Sequence, residues 1–236
     1  RPDSYASLAF SSSLTAAGHL QGKRLGVPRM YLNADPDAGT GSPLGGPMGT
    51  SIATSESIIA LWEATRRDLE TAGALVVEVD FPAVSNYEGD RAGAPTIRTR
   101  GLVSPAYLDR EILDLSAWAW EDFLHANGDP ALDTLAAVDG SRIFPRPEGA
   151  LESFDSGSAD DIASYPQWVR DHPHTTWDDM PELADGLRGL EETRRADLET
   201  WLDHLGLDAV VFPVVADVGA ADADVNLDSA RQAWRN

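Results

Sequence analysis

The stretch from Ser51 to Pro82 constrains the fold most, because a helical pattern and a strand pattern meet there across one glycine. Ile58, Leu61, Trp62, Thr65, Leu69 and Ala72 recur at three- and four-residue steps and predict a single apolar stripe. Glu63, Arg66, Arg67, Asp68 and Glu70 fall between them and predict a solvated opposite face. Thr54 or Ser55 suits the N-cap, and Gly73 suits the left-handed position past the end. Residues 74–79 are then β-branched and almost continuously apolar until Pro82 closes the run. Such a run belongs to a strand covered on both faces, which makes the class α/β.

The same order of helix, glycine, strand and proline returns later. Glu182 to Leu205 reads as a second long helix, with Leu183, Leu187, Leu190, Arg194, Leu198, Trp201 and Leu205 on its buried side. Gly206 ends it, residues 208–212 form a strand, and Pro213 closes that strand. Upstream, residues 22–27 predict a strand that broadens into a loop through Leu32. Strand, helix and strand in that order predict a parallel crossover. Residues 33–50, rich in glycine and proline, predict a long loop, and residues 85–100 an irregular segment. Tyr107 to Ala126 predicts a helix with Leu108, Ile112, Leu115, Trp118 or Ala119, and Phe123 on one side. The organisation expected is an α/β segment over 1–100, a mostly helical insertion over 101–190 and a helix–strand return over 191–236. All three belong to one incomplete domain with a partial mixed sheet flanked by helices.

Charge and composition exclude several classes. A net charge of -21 opposes binding to nucleic acid or to an anionic membrane surface. No apolar run approaches the roughly 20 residues that cross a bilayer. Without cysteine there is no disulfide framework, thiolate nucleophile or thiolate-bound zinc, and the compartment stays open, the cytoplasm being preferred. The chain starts at Arg1 and stops at Asn236 within a helical pattern, which predicts a piece of a longer protein.

No self-contained catalytic set emerges from the motifs. Gly39-Thr40-Gly41 lacks the third glycine of a dinucleotide loop, and the one lysine, Lys23, lies upstream of any Walker-like glycines. Asp222, Asp224 and Asn226 begin like a calcium loop, but Leu227 stands where glycine belongs. His172 and His174 flank Pro173, a poor spacing for a metal. Neither Ser51 nor the Ser11–Ser13 run has the glycines of an oxyanion cradle, and Asp160-Asp161 and Asp178-Asp179 are ordinary in so acidic a chain. No cofactor or metal is expected.

Three segments, taken in order, resemble the amidase signature family in the region after its serine-rich signature. Leu20-Gln21-Gly22-Lys23-Arg24-Leu25-Gly26-Val27 resembles its "L-x-G-x-R-I-G-V" strand, and Leu61–Pro82 its following helix and strand. Leu207-Asp208-Ala209-Val210-Val211-Phe212-Pro213 resembles its later "D-A-L-L-x-P" strand. The resemblance implies a hydrolase of carbon–nitrogen amide bonds that acts on a small-molecule amide without metal or cofactor. In that family a serine nucleophile is activated through a second serine by a lysine. All three residues precede the region matched here, and Lys23 does not correspond to the lysine, since no Gly/Ser-rich signature follows it. No catalytic residue is therefore carried over, and this chain alone is expected to be inactive. The resemblance places Pro213, Val214, Val215, Ala216 and Asp217 near the substrate pocket, and Trp118 and Trp120 are candidates for a cleft wall. The rival readings are a non-catalytic α/β binding or partner module that uses the aromatic insertion as its surface, and a different α/β enzyme. No oligomeric state is indicated.

Overall fold

The computed structural model describes residues 20–41, 51–143, 148–151, 162–173 and 176–233. The Ser11–Ser13 run, residues 42–50 of the expected loop, Asp160, Asp161 and His174 lie outside these residues.

Arg24–Pro28 forms β1, Leu75–Val79 forms β2 and Ala209–Val210 forms β3. They make one sheet in the order β2-β1-β3. Arg24 stands opposite Leu75 and Pro28 opposite Val79, while Leu25 and Gly26 face Ala209 and Val210. The expected mixed sheet is corrected: both strand pairs among the described residues are parallel. Each connection between strands is a long, helix-bearing crossover, which returns the chain to the same end of the sheet.

Glu56–Thr71 is α1, and Ser55 caps it by accepting from the Ile58 N–H at 3.5 Å. Trp62, Val27 and Val76 form the buried centre between α1 and the sheet, with Leu69 and Val211 packed beside them. The predicted six-residue stripe is too wide, since Leu61 is 64% exposed and Thr65 is exposed as well. A three-stranded sheet is narrow, so the helix buries one line of side chains against it. The strand covered on both faces is β1, where Leu25 and Val27 on one face and Gly26 and Pro28 on the other are buried, and not β2, where Leu75 is 53% exposed. On the face away from α1, Gly26 leaves room that a side chain would fill, because a Cβ there would lie 2.8 Å from Leu207 and 3.2 Å from Val79. Past β2, where an irregular segment is expected, Pro82–Glu88 forms α2 with Pro82 in its first turn and Gly89 as its left-handed end.

Pro105–Arg110 (α3) continues through a π-helical turn, Glu111–Leu115, into Ser116–Asn127 (α4). That turn inserts an extra residue and moves the apolar phase. The predicted Leu108 and Trp118 are buried, together with Tyr107, Ala117 and Leu124, whereas the predicted Ile112 and Phe123 are exposed. Trp118 meets Trp168 edge-on at 5.4 Å and Trp177 at 5.8 Å, in a core that runs from Ile97 to Leu190. Trp168 belongs to α5, Tyr165–Asp171.

Leu183–Arg194 (α6), a second π-helical turn at Arg195–Glu199 and Thr200–Leu205 (α7) make the other long helix. Its fully buried residues are Gly186, Gly189, Thr193 and Asp197; of the predicted line, Leu183 and Leu190 pack against the helical core and Leu198, Trp201 and Leu205 are half-buried, whereas Leu187 and Arg194 are exposed. A Cβ on Gly189 would lie 2.1 Å from the Leu102 carbonyl oxygen, and one on Gly186 would lie 2.0 Å from the Tyr107 ring. The two glycines let this face lie close against its neighbours, with Leu183 and Leu190 packed alongside. Leu227–Ala233 is α8.

Glu111, half-buried in the first π-helical turn, has its carboxyl pushed above its ordinary value of 4.5 by burial, which outweighs the Tyr107 hydrogen bond and the Arg98 charge. Burial and the same carboxylate push the Tyr107 hydroxyl up to about 12. A carboxyl raised in the folded state penalises folding while it is ionised, and the penalty disappears as pH falls through the folded pKa to the unfolded one. Glu111→Gln is therefore expected to melt at a higher temperature than the parent at pH 7. The two melting curves should converge by pH 4; a gap that widens toward acid would contradict this.

Candidate functional site

In open α/β sheets, ligands sit beyond the carboxyl ends of the strands. Here all three strands end on one side, and the segments that follow them build two neighbouring features. After β1, Arg29–Leu32 makes a 3₁₀ turn that ends at Asn33 with φ of 59°, a left-handed conformation that asparagine tolerates. Asn33 donates from Nδ2 to the Thr54 carbonyl and accepts from the Thr54 N–H, each at 2.8 Å. Thr54 Oγ1 donates to the Tyr31 carbonyl at 2.8 Å, and the Ser55 N–H donates to the Ala216 carbonyl at 2.8 Å. The segment after β3 is thereby fastened to the start of α1.

Between the ends of β1 and β3, where the strand order reverses, the crevice holds aromatic rings. Phe212 lies 5.2 Å from Tyr31 and 5.9 Å from Phe81, and Phe81 lies 5.8 Å from Trp201. Burial raises the Tyr31 hydroxyl, with the charges of Glu88 and Asp90 adding to it, so the ring stays neutral here. Beside it, at the ends of β1 and β2, is an open cleft of about 520 Å³. Arg29, Ala34 and Asp35 line it from one side, and Asp80, Pro82, Ser85, Asn86 and Arg91 from the other.

Two sets of charges shape this cleft. Asp90, with 3% of its side chain accessible, takes Arg91 at 3.0 and 3.1 Å and the Ser85 hydroxyl at 3.1 Å. Arg91 also reaches Asp35 at 2.8 Å. Burial pushes the Asp35 carboxyl up, but the hydrogen bonds and charge of Arg91 outweigh it and hold the group below the usual carboxylate range. Arg29 and Asp80 pair with each other at the mouth. From the cleft wall, Asn86 donates to Asp197 at 3.0 Å, a carboxylate that also takes both terminal nitrogens of Arg100.

The candidate positions read from sequence fall in different places. Pro213 is half-buried, Val214 is 93% exposed, Val215 is exposed and Ala216 is buried. Asp217 is half-buried and accepts from the Val218 N–H at 2.8 Å. Trp118 lies in the helical core, whereas Trp120 is exposed and meets only the edge of Phe123 at 6.0 Å among the described ring contacts. Sequence reasoning missed Arg29, Asp35, Asp80 and Arg91. The available signal was their position, since Arg29 directly follows β1 and Asp80 directly follows β2.

Among the described residues no group of three or more histidine, cysteine, aspartate or glutamate side chains is arranged to hold a metal ion. His172 stacks on Trp168 at 4.3 Å, and Asn226 closes a turn by donating to Asp222 at 2.8 Å. No helix among the described residues is long and apolar enough to cross a membrane. No protein-family model matches the chain, and no curated protein matches it.

Proposed function

We propose that this chain is the scaffold and substrate-side part of a hydrolase that cleaves carbon–nitrogen amide bonds by serine chemistry, and that the reactive groups are supplied from outside residues 1–236. One observation supports the reading above others. The three segments that carry the amidase-signature resemblance, 20–27, 61–82 and 207–213, lie far apart in sequence yet supply β1, α1 with β2, and β3, the neighbours of one sheet. That sheet leaves Leu75 on one edge strand and Phe212 beyond the other exposed, as expected of strands that pack against further polypeptide. In this reading residues 213–217, fastened at Ala216, form a rim behind the substrate, and oxyanion donors and nucleophile come from upstream sequence.

The test is expression of the coding region from its own start codon and measurement of ammonia release from simple primary amides. Turnover is expected to require a lysine and two serines preceding Arg1, and residues 1–236 alone are expected to release none. Turnover by residues 1–236 alone, or a coding region without such residues, would overturn the proposal.

A further inference from the structure

The two ion pairs that line the cleft at the ends of β1 and β2 differ in how firmly they are held. Arg91 is fixed by the nearly inaccessible Asp90 and by Asp35, 13% of whose side chain is accessible. Arg29 and Asp80 instead keep 44% and 69% of their side-chain surface in solvent. Each follows the end of its strand, and Pro28 stands opposite Val79, so the sheet register presents the two charges side by side at the mouth. A guanidinium has five donors, and a single partner leaves most of its fork for a second carboxylate.

We propose that this cleft binds a small zwitterion of the α-amino-acid type, its carboxylate on Arg29 and its ammonium on Asp80. The charges decide among ligand classes. The ionisable side chains lining the cleft are Arg29, Arg91, Asp35 and Asp80, with Asp90 buried against Arg91 behind them, so the exposed Arg29–Asp80 pair offers one charge of each sign. A simple anion that takes Arg29 leaves Asp80 ionised beside it and also meets the field of a chain with net charge -21. A simple amine leaves Arg29 without its partner. A zwitterion replaces each member of the pair by a like charge, leaves the net charge of the cleft unchanged and carries no net charge through that field. Ala34 and Pro82 give its side chain apolar wall, and the volume of about 520 Å³ is that of a small-molecule pocket. The inference does not depend on the hydrolase reading, since it concerns binding to residues 1–236 and no chemical step.

The experiment is calorimetric or ¹⁵N NMR titration of the 236-residue chain with L-leucine, with 4-methylpentanoate (the same skeleton without the ammonium) and with 3-methylbutylamine (without the carboxylate). Leucine is expected to bind saturably and both single-charge analogues about tenfold or more weaker. Arg29→Gln and Asp80→Asn should each weaken leucine by a similar factor, and Asp80→Asn should improve 4-methylpentanoate relative to the parent. No saturable leucine binding, equal binding of an analogue to the parent chain, or indifference to both substitutions would overturn the proposal. The analogue comparison on the unaltered protein keeps the test decisive if a variant folds poorly. Failure here would leave amide hydrolysis by the extended coding region untouched.

Discussion

Truncation of Asp197 to alanine should lower stability by about 3–5 kcal/mol, the cost of leaving a buried charge without its partner. The carboxylate is 6% accessible and its Arg100 partner 17%, and Asn86 donates to it from α2. Two other stretches of chain, at Asn86 and Arg100, therefore converge on one side chain in the second π-helical turn. Removing it strands the Arg100 guanidinium and frees an amide that lines the cleft. Urea unfolding should show the midpoint falling with little change in slope, because the loss is local in origin. Replacing the pair together, Arg100→Met with Asp197→Leu, should recover much of the loss, since apolar packing often substitutes for a buried ion pair. A single-variant loss below about 1 kcal/mol would mean that solvent already screens the pair.

Alanine at Gly189 should be the next most damaging small change. Its Cβ would stand 2.1 Å from the Leu102 carbonyl oxygen, and a backbone atom cannot rotate out of the way. Overpacking of this kind costs about 1–3 kcal/mol, more than the roughly 1 kcal/mol that alanine gains over glycine in a helix. The expected result is a lower melting temperature with weaker near-ultraviolet circular dichroism, because Tyr107 and Trp118 lie in the core that α6 covers. Gly186→Ala presses on the Tyr107 ring itself and should perturb the same signal. Alanine tolerated at both positions with an unchanged spectrum would show that the helix does not sit this close.

The contrast between these two helices and α1 explains what the sequence made legible. Around Ser51 to Pro82, cap, apolar period, terminal glycine and strand agree, so Ser55, Trp62, Gly73 and β2 take their expected places. The strands were readable because β-branched runs between a glycine and a proline admit few other conformations. In the helical part the period broke down for two physical reasons. Each long helix carries a π-helical turn, and a pattern counted at 3.6 residues per turn loses its phase across it. That count puts Ile112 and Phe123 inward, and both lie outward. In the second helix the fully buried residues are glycine, threonine and aspartate, which a search for leucine spacing passes over. The cleft was hidden for a different reason. Arg29 and Asp80 are 51 residues apart, and only the pairing of β1 with β2 brings them together.

The fastening of residue 216 to residue 55 is made by main-chain atoms at both ends. Its strength is indifferent to which side chains occupy 214 and 215, both of which point into solvent. That loop can exchange bulk, polarity or charge one position at a time while its path stays put. Only a change that removes the amide hydrogen itself, such as proline at 55, would release it. The scaffold thus separates the path of this loop from the chemistry of its side chains, so the one can stay fixed while the other varies.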